Sequence, residues 1–173
     1  MNKLLITWLC LPLAAWAQDE AAQTSPAAPC SSAEHRQFDF WAGDWDVTQN
    51  GQPAGHNHIE IIHDGCVLAE QWTSARGSFS GSSLNSWDAA RGRWHQTWMD
   101  NSGTVLQLEG GMVDGSMVLS GQRPGANGAV IRDRITWTPN ADGSVRQHWE
   151  SSSNDSEWAT AFDGRYVRSK AAP

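Results

Sequence analysis

The chain has 173 residues, a formal net charge of −7 and a sequence isoelectric point near 5.2. Its apolar share is that of an ordinary globular protein, so one domain with a proper core is expected. The acidic balance, with no basic run able to neutralise phosphates, excludes nucleic acid as an expected partner. Tryptophan is the anomaly: eleven Trp stand against four Phe and one Tyr.

Residues 1–17 read as a signal peptide. Asn2-Lys3 gives a short positive start, Leu4 to Ala15 is a nearly unbroken apolar run, and Ala15-Trp16-Ala17 has the small-x-small form of a cleavage site. The run is too short to span a bilayer comfortably, and no later stretch competes with it. Cys10 lacks the preceding small residues of a lipoprotein signal. The expectation is a periplasmic or secreted protein, with no membrane insertion once the signal is removed. Loss of Cys10 leaves Cys30 and Cys66. An even pair in an oxidising compartment reads as a disulfide, stapling the N-terminal tail to the first hairpin; the alternative is two free thiols. Neither Cys has a CxxC or Cys–His neighbour, which disfavours zinc.

Residues 18–33 are Ala, Pro, Ser and Gln with little to bury and read as a flexible leader. The domain proper is expected over 34–170. Ser32 is placed to N-cap a short helical turn through Glu34, His35, Arg36 and Gln37. From Asp44 onward the pattern becomes short alternating runs separated by turn signals. The runs are 44–49, 56–63, 66–74, 78–87, 93–99, 104–109, 116–122, 130–138, 144–151 and 157–168. Between them lie Asn50-Gly51, Asp64-Gly65, Arg91-Gly92, Ser102-Gly103, Asp114-Gly115, Asn127-Gly128 and Asp142-Gly143. About ten consecutive antiparallel strands without a crossover helix leave two open edges unless the sheet closes. The expected fold is therefore all-β, a closed up-and-down barrel with a short N-terminal helix.

FDFWAGDWDV (Phe38 to Val47) carries Gly43-Asp44-Trp45 after the short helix and at the start of the first strand. This resembles the G-x-W signature of the calycin barrels, which include lipocalins, fatty-acid-binding proteins and nitrobindins. The resemblance implies that Trp45 plugs one barrel end beneath an arginine of the last strand, Arg165 or Arg168, as a cation–π partner. A wider resemblance runs from about Cys30 to Tyr166. The segments CSSAEHRQFDFWAGDWDV, DGCVLAEQW, RGRWHQTWMD, RITWTPNADGSVRQHWESS and FDGRY are similar to a family of small exported bacterial proteins. That family carries an uncharacterised domain with a calycin-like barrel. The resemblance implies fold and export and brings no catalytic residues.

Candidate binding residues follow from strand alternation. Leu68, Glu70 and Trp72 share one face; so do Trp94, Gln96 and Trp98, and Val145, Gln147 and Trp149. Each face combines large aromatics with one polar side chain. Turned inward, Glu70, Trp72, Trp94, Gln96, Trp98, Gln147 and Trp149 would line a small-molecule cavity. Turned inward but tightly packed, the same residues would make a filled core. A buried Glu70 needs a partner, and Arg134 or Arg146 could supply a cation; Arg134 is taken into the candidate ligand site.

His56, His58 and Glu60 alternate on one face, a spacing compatible with a metal but more often a solvated outer surface. His63 flanks a hairpin and His35 lies on the N-terminal turn. His148 sits loosely where the resemblance to haem-binding calycins would place a proximal ligand, but on the face opposite Trp149. His95 faces away from Trp94 and Trp98. No metal and no cofactor is expected. SFSGSSLNSWD (Ser78 to Asp88) has no G-x-S-x-G elbow, and its small residues fit a bent strand with Gly81 at the kink. Phosphate-loop, dinucleotide-loop and H-E-x-x-H motifs are absent.

Three functions remain open. The first is a monomeric, non-catalytic barrel holding a small apolar or aromatic molecule. The second is an isomerase, lyase or hydrolase using Glu70 as acid/base, with Gln96 or Gln147 as orienters. The third is a filled structural barrel whose loops contact an envelope partner.

Overall fold

The computed structural model describes residues 28–154 and 156–170. The signal peptide expected at 1–17 and most of the leader expected at 18–33 lie outside the described residues. Ten strands follow in chain order: β1 Gly43–Gln49, β2 Gln52–Ile62, β3 Val67–Ser74, β4 Ser80–Asp88, β5 Arg93–Asp100, β6 Val105–Val113, β7 Ser116–Pro124, β8 Val130–Pro139, β9 Val145–Ser152 and β10 Ala159–Arg168. Each pairs antiparallel with its sequence neighbours, and β1 pairs with β10, so the barrel is closed. Closure leaves no unpaired strand edge. Among the described residues, no helix is long and apolar enough to cross a membrane.

Turn chemistry sets the hairpins. At Asp114-Gly115 the φ angles are 47° and 81°, the left-handed pair that matches the twist of a two-residue hairpin. The connections alternate between the two ends of the barrel. Those at 50–51, 75–79, 101–104, 125–129 and 153–158 form one end, here the mouth. Those at 63–66, 89–92, 114–115 and 140–144 form the other.

An aromatic plug seals that second end. The short N-terminal helix consists of two 3-10 turns, Glu34–Arg36 and Asp39–Trp41. Ser32 does not cap it: the N-cap is Ala33, and the Ser32 hydroxyl instead donates to Glu34 Oε2 at 2.6 Å. A turn this short offers few free amides, so the hydroxyl pairs with a neighbouring side chain. Phe38 and Trp41 are fully buried and stack with centroids 4.9 Å apart. Phe38 also meets Trp94 and Trp137 edge-on at 5.7 and 5.1 Å. Such pairs add roughly 0.5–1.5 kcal/mol each beyond area burial.

Cys30 and Cys66 form a disulfide, with Cα atoms 5.0 Å apart. Cys66 lies at the β2–β3 connection, so the staple ties the plug to the second hairpin rather than the first. Arg36 reinforces it by donating to Gly65 O and by pairing with Asp39 at 3.3 Å. Of the two candidate arginines, Arg168 covers Trp45, its Cζ 3.9 Å from the ring centroid. Arg165 turns outward and pairs with Asp142 at 2.6 Å.

Candidate functional site

Between plug and mouth lies a cavity of about 340 Å3. Six of the eight residues expected from alternation line it: Glu70, Trp72, Gln96, Trp98, Gln147 and Trp149. Two do not. Trp94 faces inward but sits at the plug, where its Nε1 donates to Gln37 Oε1 at 3.1 Å. It is four residues from Trp98, roughly 13 Å along a strand, and alternation fixes a face without fixing a depth. Arg134 faces outward: it pairs with Glu150 at 2.9 Å, and its Cζ lies 4.4 Å from the Trp158 ring. Its neighbours Ile135 and Trp137 take the inner face and line the cavity. Arg146 is also outside, bonded to Asp163.

The wall toward the mouth is aromatic, and hydrogen bonds orient two of its indoles. Trp149 Nε1 donates to buried Asp133 at 2.8 Å. The same carboxylate accepts from Ser151 at 2.6 Å and from Arg123 at 2.9 Å. Trp98 Nε1 donates to Asp100 Oδ2 at 3.1 Å. Trp72 meets Phe162 edge-on, centroids 6.0 Å apart. Two glycines make room for these rings on neighbouring strands. A Cβ on Gly81 would lie 2.3 Å from Trp98 Cζ2, and one on Gly55 2.6 Å from Trp72 Cζ2. Gly81 is thus a seat for an indole rather than merely a kink.

The floor is polar and organised around Glu70, which is 5% exposed. Asn57 Nδ2 donates to its Oε1 at 2.7 Å and the Ser83 hydroxyl to its Oε2 at 2.5 Å. Ser83 Oγ in turn accepts from Asn85 Nδ2 at 2.9 Å and from Gln96 Nε2 at 3.4 Å. Gln96 Nε2 also donates to Asn85 Oδ1 at 2.7 Å. Burial pushes the Glu70 carboxyl up to about 7, against the pull of the Ser83 and Asn57 hydrogen bonds. Tyr166 donates to Gln147 Oε1. Burial first, then the charge of Glu70, raises its hydroxyl well above the usual phenol value. Asn57 Oδ1 is buried without a hydrogen-bond partner among the described residues.

Sequence reasoning missed Asn57, Ser83, Asn85, Trp137, Phe162 and Tyr166. Asn57 had a usable signal, since it alternates with His56 and His58 and shares a face with Ile59. Ser83 and Asn85 likewise alternate with outward Leu84, but small polar residues give no hydrophobic signal for the inner face.

The histidines lie on the outer surface. His56 pairs with Asp46 at 2.7 Å and His58 with Asp44 at 2.6 Å. His148 approaches Thr160 and Glu150, and His95 approaches Thr97 and Glu109. Among the described residues no three His, Cys, Asp or Glu are grouped to hold a metal ion. No protein-family model matches this chain, and no curated protein matches it.

Proposed function

We propose that this chain is an exported small-molecule-binding barrel, periplasmic or secreted, that holds an apolar or aromatic ligand in its Trp-lined cavity. One observation carries the reading: a cavity of about 340 Å3, within the roughly 300–1,000 Å3 of small-molecule sites, with aromatic walls and a few converging polar groups. A filled structural barrel would need side chains to occupy that volume. The disulfide supports export, because such bonds persist in oxidising compartments. Trp45 under Arg168 supports the calycin-like assignment and, with it, the proposed kinship to the small exported proteins that share the FDFWAGDWDV segment.

The test is direct. 1-Naphthol, a flat neutral aromatic, should bind and quench much of the Trp fluorescence, and Trp98→Ala should weaken binding about fivefold or more through loss of a stacking surface. Absence of quenching at millimolar probe would overturn the reading.

A second reading is favoured by one specific observation. Glu70 lines an open cavity with its carboxyl near 7, the range of a general acid/base at neutral pH. In that reading the cavity belongs to an isomerase, lyase or hydrolase, with Gln96 and Gln147 orienting the substrate. Glu70→Gln separates the two: a binding protein keeps its affinity for neutral ligands, whereas an enzyme keeps affinity and loses turnover.

A further inference from the structure

We propose that the cavity is selective for organic cations, an ammonium head on an aromatic or aliphatic body, with Glu70 as the counter-charge. This rests on the binding-cavity reading above and names its ligand class.

The direction of the hydrogen bonds carries the argument. Both Glu70 oxygens are acceptors: Asn57 donates to one and Ser83 to the other, and Asn85 and Gln96 donate in turn to the Ser83 oxygen. The Ser83 oxygen already accepts two N–H groups, so its proton is directed to the carboxylate. Such an arrangement suits an acceptor-only, ionised carboxylate. Yet the residues described as lining the cavity include no Arg, Lys or His. Arg123 is committed to Asp133, and Arg168 to Trp45 and Ala42 O. Buried charges in proteins are normally paired; the lining supplies no cation for an ionised Glu70, and a cationic ligand would.

Two further features select the kind of cation. Trp72, Trp98 and Trp149 line the cavity with Glu70, and Trp137 lines it beside the plug; indole is the best ring for a cation–π contact, with aromatic cages the usual recognition mode for ammonium groups. A small hydrated metal ion gains little from such walls, and one carboxylate with neutral amides is a poor set for a divalent ion. Glu70 is the one charged residue among the described residues lining the cavity, so the charge that recruits cations repels carboxylate ligands.

The test uses three probes of nearly equal size: phenethylammonium, phenethyl alcohol and 3-phenylpropionate, titrated by calorimetry against the disulfide-bonded protein at about pH 8. The expected order is cation, then alcohol, then carboxylate, with the cation tighter than the alcohol by about tenfold or more. Glu70→Gln should abolish that preference, lowering affinity for phenethylammonium about tenfold more than affinity for the alcohol. Should the variant fail to fold, the unaltered protein gives the same answer through pH. Around Glu70, β2, β4, β5 and β9 present the neutral Asn57, Ser83, Gln96 and Gln147, and β10 presents Tyr166, which stays protonated throughout the range. Affinity for phenethylammonium should therefore rise about tenfold from pH 6 to pH 8 as Glu70 ionises, while phenethyl alcohol stays level. Equal binding of alcohol and cation, or no pH dependence, overturns cation selectivity and leaves the binding cavity standing. Failure of all three probes overturns both.

Discussion

Arg168 and Trp45 are register partners across the β1–β10 seam, and the guanidinium of one lies 3.9 Å from the ring centre of the other. The contact therefore locks the two ends of the fold at the strand pair that closes the barrel. Trp45 is 1% exposed and its Nε1 donates to Trp41 O at 2.8 Å, so the same ring holds the plug. Trp45→Ala should destabilise by about 3–5 kcal/mol, the cost of truncating a buried large aromatic. Arg168→Ala removes a solvent-facing cation–π contact and should cost only about 0.5–1 kcal/mol. Urea melts of both variants measure the difference. Near-equal losses would place the seam's strength in the arginine rather than the plug.

Export and the staple are checked together by intact-mass analysis. The protein recovered from the periplasm should begin at Gln18 and weigh two hydrogens less than its reduced form. Reduction should lower stability by about 3–4 kcal/mol, because Cys30 and Cys66 are 36 residues apart and the bond restrains the unfolded chain over that loop. A chain that retains residues 1–17, with Cys30 and Cys66 as free thiols, would contradict the proposed compartment.

The barrel was legible because its turns are written in Asn-Gly and Asp-Gly pairs and its strands alternate. Where reading stopped short, glycine was the reason. β2 begins at Gln52, not 56, since Pro53 and Gly55 look like loop residues; Gly55 is in fact a strand residue roofed by Trp72. β6 runs on to Val113 through Gly110, where a Cβ would stand 2.0 Å from Val118 O. Both glycines mark close approaches inside the sheet, which a local pattern reads as breaks. In the site, alternation found Glu70, Trp72, Gln96, Trp98, Gln147 and Trp149 because parity is a local property. It could not separate Trp94 from Trp98, whose difference is depth along the barrel. Nor could it assemble the floor, which joins Asn57, Glu70 and Ser83 from three strands.

Gly81 gives a test of the indole seat that replaces no lining side chain. Gly81→Ala would put a methyl 2.3 Å from Trp98 Cζ2 and 2.9 Å from Met99 O, so the ring must swing into the cavity. Affinity for 1-naphthol should fall about fivefold or more, comparable to Trp98→Ala. Gly111→Ala is the control, because nothing lies within 4 Å of its Cβ and its φ is not positive; affinity there should be unchanged. Equal effects at the two glycines would remove Trp98 from the binding wall.

Glu70 makes stability depend on pH with a sign opposite to that of an ordinary salt-bridged carboxylate. Its carboxyl titrates at about 7 when folded, against a reference value of 4.5. Between those values the unfolded chain has released the proton and the native state retains it. Stability associated with this group is therefore full below about pH 4.5 and is lost as pH rises through 7. The difference amounts to about 3 kcal/mol once both states are ionised. Glu70→Gln removes the dependence and can still be satisfied. A side-chain amide oxygen accepts from Ser83, and with the Asn57 amide turned over its nitrogen donates to Asn57 Oδ1. The variant should thus match the parent near pH 4.5 and exceed it increasingly toward pH 8. Urea melts of parent and variant at pH 5, 6, 7 and 8 measure that gap. A gap that stays constant or shrinks with pH would mean that Glu70 is ionised in the native barrel throughout. Addition of phenethylammonium should close the gap at pH 8 by pairing with the carboxylate, and phenethyl alcohol should leave it open.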